Sequence, residues 1–572
     1  MATDDYRPRL AFRVGVTGHR DLHLKSGHDL QSRIRARLEQ IKHMAQQAAT
    51  ESQGCYDDDA PAILRAISPL AEGADRIFAR EALDLGYELE CPLPFKCHEY
   101  QDDFESEDSK RKFNELLGQA AAVFELEGSR GDKAAAYKAV GYMVLDQCDI
   151  LLAIWDGKPA KGADRTADVV AKAKRRIPVV WLHADSDEPD MILTPDGRED
   201  AITCPGIDER LKVVVWRLLL PPLDPDPTGP LHTAEWLLAL LLVPVWRAFE
   251  KVVTVGLLRS KRPADDPPGS PAQFAFQTRY AHWDKSANLL AGLYRGAFLL
   301  NYMLGVFAVF LAIIANAVKG LWPWPPVCES ILISIVIILM LFMRGRRWHL
   351  RTADCRYLAE QFRILCYSYP LGFAPSKPHL PAHYLHAEFG GWLTWHTQTI
   401  VRLTPMPTAK VTDVYLERHS KAMRKWLRGQ IHYHDRNAVK LELIERRLIG
   451  LCWWLISFAL VGALAACIWH PADPHGDPER WLLFLTAGLP AASAAAHAIS
   501  TQGEFRRLVD RSESMARRLR SSLRDLEREV GSSAANLRRQ TEDLAQAFLD
   551  EVADWQSCIA NRPRLPASAL RS

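Results

Sequence analysis

From residue 10 onward the chain alternates two hydrophobic periods. Short apolar runs rich in β-branched residues, at 12–17, 62–68, 87–93, 121–126, 149–155 and 177–182, are separated by stretches of helical spacing at 28–50, 73–85, 109–118, 134–147 and 166–176. Regular succession of strand and helix predicts a parallel sheet with helices on both faces. Beyond 272 that rhythm stops. Four segments, 297–318, 326–343, 449–469 and 481–500, are nearly free of charge. Each has the roughly 20 residues that cross a bilayer core of about 30 Å. The expected architecture is an α/β Rossmann-like parallel sheet domain followed by an all-α membrane domain of four transmembrane helices with long cytoplasmic helices.

The flanks of those segments support the assignment. Trp322, Trp324, Trp453, Trp454, Trp469 and Trp481 cluster near segment ends, where aromatic anchors sit. Arg295, Arg344, Arg346 and Arg347 flank the first pair on one side, and Arg446, Arg447, Arg506 and Arg507 flank the second pair likewise. Loops 320–327 and 470–480 are nearly devoid of Lys and Arg, which predicts that both termini are cytoplasmic. The two pairs read as copies. Q-T-R-Y at Gln277 lies 20 residues before Ala297 and Q-I-H-Y at Gln430 lies 20 before Gly450, and R-R-x-x-x-R recurs at Arg346, Arg347, Arg351 and at Arg506, Arg507, Arg511. The last segment, rich in small residues with Pro490 and His497, suits close helix packing or a polar lining. Stretch 235–246 is apolar, too short to span and holds Pro244, so it reads as an interfacial or coupling helix. Stretch 504–556 has amphipathic periodicity with mixed charge, as a cytoplasmic stalk that helps to oligomerise the chain does.

Composition narrows the function classes. Of 572 residues, 71 are Lys or Arg and 69 Asp or Glu, a net charge of +2 with 48% hydrophobic residues. That balance excludes a strongly basic nucleic-acid coat and an acidic disordered chain. The start MATDDYRPRL lacks the features of a secretory signal, so the front half is expected to stay in the cytoplasm. The 11 cysteines are irregularly spaced with no CxxC pair, which points to reduced thiols. Pro-rich runs from Pro221 and from Lys261 read as linkers. The resulting division is 1–220 for the sheet domain, 221–271 for linker and interfacial helix, 272–414 for a first two-span module and 415–572 for a second.

In a parallel sheet ligands bind beyond the carboxyl ends of the strands, where helix amino termini favour anions. The loops there carry the candidate residues. After the first strand come Thr17, Gly18, His19 and Arg20, with Gly18 for a close turn and Arg20 for phosphate oxygens. After the second come Ser68, Glu72, Gly73, Asp75 and Arg76, with Gly73 opening a helix. The fifth strand leads into Asp156 and Gly157, then Gly162 and Thr166, a ligand-covering loop with Asp156 placed for ribose hydroxyls. Asp75 and Arg76 equally suit a helix cap and its ion pairs. No metal site is expected: His19, His23 and His28 lie across a turn, and Pro381 interrupts His379, His383, His386 and Glu388. GxGxxG is absent, no catalytic residue is assigned and no cofactor is expected.

The ordered set GVTGHRDL, SPLAEGADR, LPF with EY and DF, and DILLAIWDGKPA before a TADVV helix resembles bacterial members of the SLOG superfamily, over about 10–185. That resemblance implies a Rossmann-like domain binding a nucleotide-derived messenger, ADP-ribose-like or cyclic. Where relatives carry a Gly-Gly-Thr turn this chain has Gly162-Ala163-Asp164-Arg165-Thr166, and the PGGxGTxxE signature of the related LOG enzymes is missing. Both departures weigh against an enzyme. The two-span unit, over about 272–367 and 415–548, resembles the SLATT effector module, for which a pore-forming role is proposed.

Together these imply a membrane-bound sensor and effector in bacterial antiphage defence, multi-pass in the inner membrane. Its expected partners are a nucleotide-derived small-molecule ligand, the lipid bilayer and further copies of itself, with no nucleic acid. The alternatives are a membrane-anchored nucleotide-processing enzyme, with Glu72 or Asp75 as acid or base, and a scaffold binding another protein.

Overall fold

A computed structural model describes residues 7–20, 30–52, 55–57, 60–158, 166–184, 188–195, 206–222, 233–255, 271–317, 324–374, 391–469, 484–528 and 533–560. Six strands appear where alternation predicts them: β1 (Ala11–Gly18), β2 (Ile63–Ile67), β3 (Glu88–Leu93), β4 (Ala122–Glu125), β5 (Ile150–Trp155) and β6 (Val179–His183). Between them run α1 (Leu30–Glu51), α2 (Ala74–Asp84), the short α3 (Cys97–Gln101), α4 (Glu107–Leu117), α5 (Lys133–Gln147) and α6 (Thr166–Ala173). Two further strands, β7 (Met191–Leu193) and β8 (Ala409–Lys410), complete an eight-stranded sheet of order β7-β6-β5-β1-β2-β3-β4-β8. All neighbours are parallel except β6 and β7. Val14 faces Ala66 on one side and Ile150 on the other, so β1 is central and its carboxyl end opens between two loops.

Both sheet faces are dry. Ile34, Leu38 and Ile41 of α1, Phe78 of α2 and Leu211 and Val215 of α7 (Ile207–Leu219) pack with Phe12, Val14 and Val16 on one face. Val144 of α5 and Val169 and Val170 of α6 pack with Leu151 and Ala153 on the other. Strands sandwiched in this way read as continuous apolar runs, as here.

The second half is helical: α8 (Thr233–Val253), α9 (Pro271–Ala317), α10 (Trp324–Arg346), α11 (Trp348–Ser368), α12 (Gly391–Leu403) and α13 (Asp413–Trp469) are followed by a π-turn at Phe484–Gly488, then α14 (Leu489–Gly503), α15 (Phe505–Arg528) and α16 (Ala534–Ala560). Among the described residues three stretches are long and apolar enough to cross a membrane: Gln273–Ala315, Trp324–Leu371 and Asp413–Ala465. Their apolar windows have mean hydropathy 2.4, 2.5 and 2.2. Ile335, Ile338, Leu341, Trp453, Phe458 and Val461 point outward from them, an exposed apolar surface that water does not tolerate over this extent. The fourth expected span, 481–500, starts outside the described residues and continues as the π-turn and α14.

The repeat is visible as a shared backbone break. Arg347 (φ 49°) and Glu504 (φ 51°) are left-handed, and each is followed by a buried aromatic, Trp348 or Phe505, that opens the next helix. Aligned on this break, the R-R-x-x-x-R motifs are displaced by about one turn. Arg351 binds Glu235 of α8 at 2.8 Å, whereas Arg511 binds Glu551 of α16 at 2.9 Å. The motif therefore recurs in sequence without marking equivalent positions.

Two expectations need adjustment. Stretch 391–411, assigned by sequence to the first two-span module, packs on the sheet: Trp395 of α12 joins the core beneath α7, and β8 pairs Phe124 with Ala409. The stalk at 504–556 folds back on its own chain. Its apolar positions Met515, Leu519, Leu544 and Phe548 are buried with Phe362 of α11 and Met423 of α13, so they offer no free oligomerisation stripe. Stretch 235–246 is helical as expected within α8, with Leu237, Leu240 and Leu241 exposed and Leu242 buried.

Candidate functional site

The carboxyl ends of β1, β2 and β5 bring the candidate residues together, and one glycine makes this possible. Gly73, just ahead of α2, has φ +81°, and a Cβ there would lie 2.2 Å from the carbonyl oxygen of Arg20 and 2.6 Å from that of His19. Only glycine tolerates both the conformation and the approach. The Ala74 N–H then donates to the His19 carbonyl at 3.3 Å. Gly18 permits a second close approach, since a Cβ there would lie 2.4 Å from the Ala74 Cβ. Thr17 is the penultimate residue of β1, paired with Ala153. The helix mouth and the loop after β1 are thus one unit.

Asp75, in the first turn of α2, is the most perturbed group of that unit. It is buried, 5% exposed, and burial pushes its carboxyl up to about 7. Arg20, a hydrogen bond from the Ala71 backbone and Arg76 oppose the shift without cancelling it. Arg20 lies over the ring of Tyr137, 4.4 Å from its centroid. Burial alone would lower the Arg20 guanidinium, but Tyr100, Tyr137 and Asp75 together hold it above its ordinary value. Arg76 is committed elsewhere: Nε donates to the Leu70 carbonyl at 3.0 Å, Nη1 to the Ser109 hydroxyl at 2.6 Å, and its plane lies 4.3 Å from the Phe104 centroid.

Ser68 and Glu72 also serve the loop. Ser68 Oγ donates to the Asp75 carbonyl at 3.0 Å and accepts from the Leu70 N–H at 3.2 Å, which holds Leu70 at φ 57°. Glu72 accepts a hydrogen bond from Ser109. On the opposite rim, the Asp156 N–H donates to His19 Nε2 at 3.2 Å, and the Asp156 carboxylate lies 3.0 Å from Lys158 Nζ. Partial burial raises that carboxylate, but the Lys158 backbone N–H and ammonium outweigh this and hold it below its usual range. Gly157 (φ +79°) turns the chain against Trp181, and Thr166 Oγ1 donates to the Gly18 carbonyl at 3.2 Å. Gly162, His23, His28 and the 379–388 cluster lie outside the described residues.

Two residues that composition did not single out complete the wall. Tyr100, in α3 after β3, is fully buried, and its hydroxyl has no hydrogen-bond partner among the described residues. Tyr137 of α5 stacks edge-on with Phe95, 5.7 Å between centroids. The E-Y pair after the third strand was the one available signal for Tyr100. Arg20, Asp75, Tyr100 and Tyr137 therefore form a half-buried ionic and aromatic corner at a helix amino terminus, able to bind an anionic, ring-bearing ligand. Among the described residues no group of three or more His, Cys, Asp or Glu side chains is arranged to hold a metal.

Compared with protein-family models and with curated proteins, the chain matches none.

Proposed function

We propose that this chain is a membrane-bound sensor and effector, in which a nucleotide-derived ligand occupies the corner formed by Arg20, Asp75, Tyr100 and Tyr137 and biases the helical membrane domain toward a permeable state. The observation that carries this reading is a core shared by the two halves. Ala122, Phe124 and Met143 of the sheet domain share one core with Phe362 of α11 and Met423 of α13, and the apolar stretches Trp324–Leu371 and Asp413–Ala465 include those helices. A shift of the sheet against this core reaches the spans through packed side chains. Such coupling requires the ligand to bind the permeable arrangement more tightly than the closed one.

In this reading the fourth span is 481–500, the termini are cytoplasmic by the charge of the flanks, and the host membrane is the inner membrane of a bacterium. The SLOG-like and SLATT-like patterns support antiphage defence as the setting. Assembly into an oligomer then runs through the exposed faces of the spans, because the stalk is folded back.

A second reading rests on Asp75. A carboxyl titrating near 7 beside two guanidinium groups is suited to general acid or base work, as a membrane-anchored nucleotide hydrolase needs. The full chain in dye-loaded liposomes, challenged with ADP-ribose, NAD, cyclic ADP-ribose forms and cyclic di- and trinucleotides, separates the two. Leakage without conversion of the ligand supports the sensor, conversion supports the enzyme, and neither across the panel removes both.

A further inference from the structure

A polar cavity that none of the sheet-corner residues lines lies between the two repeats. It has a volume of about 360 Å³ and is walled by α9, α11, α13 and α15. This size is ordinary for a small-ligand site. It reaches from Phe298 and Phe505, at the ends of the apolar segments, to Arg363 and Gln430 further into the helical bundle. A packed bundle without a ligand would fill such a space with apolar side chains.

Five cationic side chains line it, Arg295, Arg356, Arg363, Lys440 and Arg511, against four carboxylates, Glu250, Glu360, Glu504 and Glu551. Most of these charges are already paired: Lys440 with Glu250, Arg363 with Glu360, Arg511 with Glu551, and Arg356 with Asp284 outside the lining at 2.6 Å. Arg295 is the exception among the cations. Among the described residues it has no hydrogen bond or close ion pair; it lies over the ring of Trp246, 5.4 Å from the centroid, with the Glu250 charge acting on it from further off. Glu250, already bonded to Lys440, is the carboxylate that acts on Arg295, so the guanidinium fork keeps donors for a further anion.

Two neutral donors share the cavity and the same condition. His434 is 7% exposed, and its Nδ1 has no hydrogen-bond partner among the described residues. Gln430 is 5% exposed and its amide makes no hydrogen bond among them. Gln430 opens the Q-I-H-Y motif, so the recurrent Gln and Tyr of the second repeat are cavity residues, a role the sheet site leaves unexplained.

We propose that this cavity binds a phosphate group, as a monoester or diester, held by Arg295 with Gln430 and His434. The planar guanidinium fork matches phosphate oxygens, and the amide and imidazole N–H groups add neutral donors. The bound phosphate ties α9 of the first repeat to α13 of the second, just cytoplasmic of the spans. Either an anionic lipid headgroup or a free phosphate compound carries this chemistry, and the position at the ends of the apolar segments gives both access. This site stands independently of the sheet corner.

The test uses the full chain in phosphatidylcholine nanodiscs. Inorganic phosphate is titrated in one arm, and phosphatidylglycerol replaces part of the lipid in the other, with the thermal unfolding midpoint as readout. Stabilisation by phosphate identifies a free-anion site, and stabilisation by phosphatidylglycerol alone identifies a headgroup site. Arg295→Gln should weaken the stabilising anion by about tenfold or more, Arg295→Lys should keep most of the effect, and Arg428→Gln, at the exposed pair with Glu527, should leave it unchanged. If Arg295→Gln does not fold, Gln430→Leu decides by the same criterion. Absence of stabilisation in both arms, or full retention of it in the deciding variant, overturns the proposal.

Discussion

The carboxylate of Asp149, just ahead of β5, is held 3.0 Å from the guanidinium of Arg402 in α12, 253 positions later in the chain. Arg13 of β1 completes the group, its backbone N–H donating to Asp149 Oδ2 at 3.0 Å and its Nη2 to Oδ1 at 3.2 Å. Arg402 Nη1 also donates to the Leu218 carbonyl of α7 at 2.8 Å. One buried carboxylate therefore joins the sheet, α7 and a helix that sequence places between two membrane spans.

Removing Arg402 leaves that carboxylate with half its compensation. Arg402→Met should destabilise the sheet domain by about 3–5 kcal/mol, the usual cost of breaking a buried pair by removing one partner. Burial raises the Asp149 carboxyl, but Arg13 and Arg402 outweigh this and hold it below its ordinary value. Its contribution is therefore present at neutral pH and is lost as pH falls below 3.8 through the folded-state value. Denaturation followed by hydrogen exchange of β1 and β5 amides measures both effects, and an unchanged exchange pattern in Arg402→Met would remove Arg402 from the joint.

Asp75 has the opposite sign. Its folded-state value of about 7 exceeds the ordinary 3.8, so the folded protein holds this proton more tightly than the unfolded chain does. Stability should fall as pH rises from about 4 to 7 and level off above, by at most about 4 kcal/mol. Asp75→Asn should abolish that slope and be more stable than the wild type at pH 8. A carboxyl titration by NMR that places Asp75 below 5 would contradict the assignment.

Arg20 is the exposed cation of the sheet corner, with one face on Tyr137. Arg20→Ala should weaken a phosphate-bearing ligand by about 1.5–3 kcal/mol, the range for hydrogen bonds to charged groups. Calorimetric titration of the full chain with the ligand active in the leakage assay gives the value. Equal affinity in the variant would place the ligand elsewhere.

Gly73 should tolerate nothing larger. Gly73→Ala must change a backbone held at φ +81° and push back the carbonyl of Arg20, a strain of about 1–3 kcal/mol before any clash is counted. The expected result is a folded protein whose His19 and Arg20 resonances shift and whose ligand affinity drops. Gly86, also at φ +82° but with open space around its Cβ position, is the comparison: Gly86→Ala should cost conformational strain alone and leave binding intact.

What the sequence determined by itself was local. Six strands and five helices between them were legible because the periods of 2 and 3.6 are imposed by backbone geometry and survive any tertiary arrangement. Three of the four expected spans were legible as apolar helices, because lipid demands about 20 apolar residues in a row. The clustering of Gly18, His19, Arg20, Gly73 and Asp75 was legible because a parallel sheet delivers its loops to one edge. β7 and β8, of three and two residues, carry no period at all and exist because a neighbouring edge was waiting for them. Tyr100 and Tyr137 became part of the site, and Arg76 was turned away from the open edge, through packing among α2, α3, α4 and α5. The R-R-x-x-x-R repeat kept its spelling while its two copies, one turn apart relative to the break, took partners on different helices. Where a residue sits along its element is set by neighbours in sequence; what it touches is set by elements hundreds of positions away, and burial then decides its charge.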